Sequence, residues 1–204
     1  MKKILSMNFF KNATTSKKWM ATAGLVWLLY LVFYLLSLMN FHSGKVAFND
    51  FHQWFAQTPV YNFMIVLLVA TLSFHVIVAV SRQLKNNVSA GTRYKKTYPK
   101  AIPKVIAWGG VSILFAFIIF HFIQMTWLID KADLYQSIVL MFSNPLMWLI
   151  YGLGLFALGA HLHHGLTNVL QTFGLSSKQH HGVAIAIVLV VIGSFFSIPV
   201  SVIL

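Results

Sequence analysis

Three histidines, His75, His121 and His161, each lie inside an apolar run long enough to cross a membrane. An ionisable side chain is expensive in hydrocarbon, and where one occurs it usually serves a function. Counting along the chain sorts the three by depth. His75 follows Pro59 at the same separation as His161 follows Pro145. At a rise of about 1.5 Å per residue, both stand about 24 Å from the same membrane boundary. His121 is about as far along the chain from Lys104, which puts it toward the opposite boundary. Two imidazoles at one height on separate helices can grip a single metal between them.

The available donors narrow that metal. The chain has no cysteine, which excludes disulfides, thiolate metal sites and cysteine-bound iron–sulfur clusters within it. Zinc normally takes further ligands from His, Asp or Glu. Here glutamate is absent, and Asp50, Asp130 and Asp133 fall in connections. Haem b asks only for axial imidazoles, so His75 and His161 are the expected pair, with His164 as the fallback ligand. Arg82, two helical turns after His75, is placed to neutralise a propionate. Gly154 shares the His161 face, and Gly152 and Gly159 add room. The plainer reading is a histidine that hydrogen-bonds neighbouring helices. It suits one isolated histidine better than two at matched depth. The shortage of carboxylates also counts against a proton-relay transporter.

The elements that carry these residues follow from charge spacing. Of 204 residues, 58% are hydrophobic and 9% are charged, against about 25% charged in soluble domains. Charge-free stretches cover 19–44, 51–81, 105–129, 134–177 and 179–204. They are continuous apolar runs rather than the alternating short strands of a barrel. An all-α integral membrane protein is expected, a single domain over 1–204. Its five transmembrane helices are placed at about 19–40, 60–81, 104–128, 145–171 and 183–203, with the first four as a haem-binding four-helix bundle. Asn144-Pro145 reads as a helix start, which leaves Leu134–Ser143 as an interfacial piece. The segment before Trp19 is basic and polar, and the first apolar run exceeds a signal h-region, so no cleavable signal peptide is expected.

The formal charge of +12 is uneven. Lys2, Lys3, Lys11, Lys17 and Lys18 precede the first span. Arg82, Lys85, Arg93, Lys95, Lys96, Lys100 and Lys104 surround the second connection. By the positive-inside rule the N-terminus is cytoplasmic and the C-terminus outside, in the inner (cytoplasmic) membrane of a cell. Lysines that flank spans are explained by topology, so nucleic acid is not an expected partner. The basic connection can also dock a soluble partner or anionic lipid headgroups.

Several short patterns occur in order along the chain. They are Ser43-Gly44 with Ala47-Phe48-Asn49, then Phe74-His75, then His121-Phe122. Next come Ala157-Leu158-Gly159-Ala160-His161-Leu162-His163-His164-Gly165 and Gln171-Thr172-Phe173-Gly174-Leu175. This order resembles the membrane-anchor cytochrome b subunit of succinate:quinone oxidoreductases (succinate dehydrogenase and fumarate reductase). It is most similar to the type B form, in which one five-helix chain carries two haems. The resemblance covers most of the chain. It implies a flavoprotein and an iron–sulfur subunit as partners, with a dimer of such complexes left open, and quinone as the electron partner, with menaquinone the expectation. The chain itself is then the subunit that does not act on succinate.

The resemblance also implies haem ligands. Histidines of the second and fourth helices bind the haem nearer the iron–sulfur partner, which matches His75 and His161. Histidines of the first and third helices bind the other haem. His121 matches the third-helix position, but the first-helix position falls on Tyr34. Counted from Lys18, Tyr34 reaches the depth that His121 reaches from Lys104. Three arrangements stay open: no second haem, with Tyr34 hydrogen-bonded to His121; a haem on His121 with Tyr34 or nothing opposite; or His42 as the true partner. Quinone contacts are sought at His42, Asp50, His52 and Trp127 on the outer side, and at Ser81 and Arg82 on the inner side. Two rivals remain. One is the cytochrome b anchor of another respiratory enzyme, such as a hydrogenase or formate dehydrogenase. The other is a haem-free helical transporter or assembly protein.

Overall fold

The structure, a computed structural model, describes residues 13–88, 104–174 and 180–203, with side chains over 15–81, 109–174 and 181–203. Most of the basic residues around the second connection therefore lie outside the described side chains, Arg82 among them. The described residues are helical and contain no strand. Seven helices follow in order: α1 (Ala13–Met39), α2 (Lys45–Ala56), α3 (Pro59–Val88), α4 (Lys104–Ile123), α5 (Leu134–Phe142), α6 (Pro145–Thr172) and α7 (His180–Ile203).

Five stretches are long and apolar enough to cross a membrane: Thr15–Ser43, Pro59–Ser81, Gly109–Leu128, Pro145–Thr172 and His181–Ile203. These agree with the expected spans to within a few residues. Their large apolar side chains are widely exposed, as at Leu36, Phe63, Phe156 and Leu189. Exposure of that kind along whole helices belongs in lipid, where no water penalises it. The chain is a multi-pass membrane protein.

The expected helix start after Ser143 is present. The Asn144 side chain accepts from the Leu146 amide at 2.9 Å, and Pro145 opens α6. Leu134–Phe142 forms α5, begun by Asp133, whose carboxylate accepts from the Gln136 amide at 3.2 Å. Three elements were not expected. A short 3₁₀ turn, Asn40–Ser43, leads through Gly44 at φ 94° into the amphipathic α2. Glycine meets that left-handed backbone without steric cost. Beyond α4 the helix widens into a π turn at Gln124–Leu128.

The tightest packing lies where α2 and α5 cover one end of the spans, hereafter the capped end. Phe41, Phe48, Ile138, Phe142, Tyr151 and Ile198 form one buried cluster there, and Phe48 is fully buried. Asn49 joins the two short helices. It donates to Asp133 Oδ1 at 2.9 Å and accepts from the Tyr135 amide at 2.9 Å. Lys45 pairs with the other Asp133 oxygen at 2.5 Å.

Among the described residues, α1 packs on α3, α6 and α7, while α6 packs on α4 and α7. Helix α3 meets α1 and α2, but meets α4 and α6 by at most an isolated backbone approach. Among the described residues, the first span thus packs on the second and fourth and the third on the fourth, while the second and third share little backbone contact. The fifth span packs against the first and fourth rather than standing apart. Trp27 Nε1 donates to Thr71 Oγ1 at 3.1 Å and fastens α1 to α3.

Candidate haem-binding histidine pair

His75 on α3 and His161 on α6 lie in ring contact. Their ring centres are 6.2 Å apart and their planes make 76°. Counting residues from Pro59 and Pro145 predicts a common height, and the rings are together. Metal–imidazole bonds of about 2.0 Å put a ring centre about 3.2 Å from the metal, hence two opposed rings about 6.4 Å apart. The observed spacing is close to that value. Among the described residues the two backbones share at most an isolated approach.

His75 Nδ1 is buried and has no hydrogen-bond partner among the described residues. Leaving a buried donor or acceptor unpaired costs about 1–3 kcal/mol, a cost that a metal would relieve only by bonding to Nδ1 itself. Gly24 on α1 lies beside this ring, since a Cβ there would stand 4.0 Å from His75 Cε1. That is an ordinary contact distance, so α1 packs beside the imidazole at residue 24. The residues present therefore fit a bis-imidazole haem between α3 and α6. No group of three or more His, Cys, Asp or Glu that could hold a metal occurs among the described residues.

The glycines expected to make room on α6 are mostly used otherwise. Gly154 receives the ring of Phe117 from α4, with which any Cβ would overlap. Gly159 receives Ile192 of α7, whose Cγ1 would meet a Cβ at 3.3 Å. Of the three, only Gly152 has open space beside it. His164 is exposed, with its Nε2 2.8 Å from the Asn168 amide nitrogen. His163 lies near His181 of α7, ring centres 6.1 Å apart.

Toward the capped end, His121 stands within a second polar group. Tyr34 Oη is 3.3 Å from His121 Nε2, and Tyr151 Oη is 3.0 Å from His121 Nδ1. Tyr151 in turn donates to Gln124 Oε1 at 2.7 Å. The hydrogen bond between Tyr34 and His121 that the first of the three arrangements includes is present. His42 is not opposite His121. It is exposed, with its Nε2 3.0 Å from Ser197 Oγ. Tyr151 and Gln124 escaped the sequence reading, although Gln124, one helical turn after His121, carries a helical-face signal.

The quinone candidates scatter. Asp50 is exposed on α2. His52 Nδ1 is 2.9 Å from the Phe48 carbonyl, and burial lowers the pKa of this imidazole. Trp127 is 69% exposed and stands edge-on to Phe122. Ser81 is half-buried on α3, beyond His75, and the Arg82 side chain lies outside the described residues. A pocket of about 350 Å³ at the capped end is lined instead by Gln124, Asp130, Ser137 and Asn144 with apolar neighbours.

Comparison with protein-family models, curated proteins and solved structures finds no match to this chain.

Proposed function

We propose that this chain is the haem b-carrying membrane anchor of a succinate:quinone oxidoreductase, passing electrons between an iron–sulfur subunit and quinone. The single observation that carries the reading is the His75–His161 pair, 6.2 Å apart on helices whose backbones do not otherwise meet closely. The order of short sequence patterns supports the choice of family. The second connection, rich in Lys and Arg, supports a cytoplasmic docking face for the flavoprotein and iron–sulfur partners.

A bound haem b supplies a one-electron relay; the organic and metal chemistry belongs to it. The chain's own contribution is geometric and electrostatic. His75 and His161 would hold the haem iron between α3 and α6. Apolar helix faces exclude water and keep the dielectric low around the pair. Arg82, two turns beyond His75 on the same helix, brings a permanent positive charge for a propionate. With the N-terminus cytoplasmic, the pair stands nearer the cytoplasmic face and the capped end lies outside.

The test is a reduced-minus-oxidised spectrum of the purified membrane complex. A b-type absorption band is expected, and it should be lost in His75→Ala and in His161→Ala. No band in the native complex, or normal haem in both variants, would sink the reading. Co-purification of a succinate-oxidising flavoprotein separates this anchor from that of a hydrogenase or formate dehydrogenase.

A further inference from the structure

His121 has both ring nitrogens engaged, and the direction of each bond follows from the far end of the series. Gln124 turns its Nε2 toward Met147 Sδ at 3.5 Å, which leaves Oε1 as the acceptor facing Tyr151. The Tyr151 hydroxyl donates to that oxygen at 2.7 Å. A hydroxyl has one proton to give. The Tyr151 oxygen must therefore accept from His121, 3.0 Å away, which makes Nδ1 the protonated nitrogen. Nε2 then carries the lone pair, and the Tyr34 hydroxyl donates to it at 3.3 Å.

Packing closes the same space. The Phe117 ring stacks near His121, centres 5.9 Å apart at 25°, and presses into the hollow at Gly154. Phe195 of α7 lies 6.0 Å from the Tyr34 ring on another side. An iron bound to Nε2 would have to displace the Tyr34 hydroxyl.

We infer that His121 is a hydrogen-bond hub fixed as its Nδ1–H tautomer, joining α1, α4 and α6, and is not a haem ligand. The chain then holds one haem, between His75 and His161. The haem count rests on the function proposed above; the tautomer does not. The hub has a clear structural task. Among the described residues α1 and α4 share little backbone contact, and the Tyr34–His121 bond bridges them.

Both parts can be read on the full chain in lipid. With histidine labelled in nitrogen-15, solid-state NMR should show His121 with a protonated Nδ1 and an unprotonated, hydrogen-bonded Nε2. The signal is assigned by its loss in His121→Gln. Tyr34→Phe, the milder change, should shift the Nε2 resonance and leave Nδ1 protonated. Haem analysis should give one haem per chain, retained in His121→Gln and in Tyr34→Phe and lost in His75→Ala. A protonated or metal-bound Nε2, or a second haem that disappears with His121, overturns the inference. Absence of all haem from the native complex overturns the proposed function while leaving the tautomer to be decided by its own resonances.

Discussion

The ring of Phe117 lies where a side chain on residue 154 would have to stand, so α4 and α6 approach each other through a glycine rather than across a gap. Gly154→Ala should drive the two helices apart or force Phe117 from its rotamer. A loss of about 1–3 kcal/mol is expected, the usual range for overpacking. Thermal melting of the purified chain reads it. Adding Phe117→Leu to Gly154→Ala should restore part of the loss; equal melting of wild type and Gly154→Ala would show that this contact does not constrain the helices.

Asn49 is one residue serving two helices. Its amide nitrogen reaches Asp133 and its oxygen receives the Tyr135 amide. Asn49→Leu keeps the bulk and leaves both partners without their bond. The expected cost is about 1–3 kcal/mol, with protease sensitivity rising first in the segment that links Ile129 to α5. Unchanged proteolysis of that segment would argue against Asn49 as the tie.

The capped end should weaken in acid. Hydrogen bonds from Lys45 and then Asn49 hold the Asp133 carboxyl below the usual carboxylate range. A depressed folded-state value means that the stabilisation is present above the ordinary carboxylate pKa and is lost as pH falls through the folded value. Lys45→Met should therefore narrow the stable range, moving the acid transition of the α2–α5 region to higher pH. His52 acts in the same direction at higher pH. Burial lowers its pKa, so the unfolded chain takes up the proton first and stability declines as pH drops below about 6.5. His52→Gln should flatten the melting temperature across that interval, and a slope identical to wild type would remove His52 as its source.

Trp27→Phe keeps the ring and removes the donor to Thr71. About 0.5–1.5 kcal/mol should be lost. Because this bond fastens α1 to α3, hydrogen exchange should quicken in α3 more than in α6. Equal acceleration of both helices would contradict the packing order described here.

A ligand exchange probes the electronic role of the pair. His161→Met offers a thioether in place of an imidazole at the same height. Met/His ligation raises a haem potential relative to an imidazole pair. Redox titration of the complex should show a single b-type centre shifted to higher potential, and an unshifted midpoint would remove His161 from the iron.

What the sequence revealed was position along the membrane normal. The limits of the spans, the Asn144-Pro145 start, the separate segment Leu134–Phe142 and the equal height of His75 and His161 all follow from counting residues against charges and prolines. What it concealed was azimuth. A helix apolar on all sides has no stripe to mark its inward face, so nothing identified which neighbour Gly154 or Gly159 would meet, or that Tyr151 would turn toward His121. Helix α2 was missed for a related reason. Its polar residues, Asn49, Asp50, His52 and Gln53, read as a solvated connection, while Phe48, Phe51 and Phe55 repeat at helical spacing beneath them.

The seam along α3 gives the two imidazoles a particular mechanical standing. Among the described residues α3 is held mainly from the α1 side, so the span from His75 to His161 is braced by fewer backbone contacts than the α4–α6 pair. Whatever clasps both rings ties α3 to α6, and its binding energy adds to the cohesion of the whole assembly by mass action.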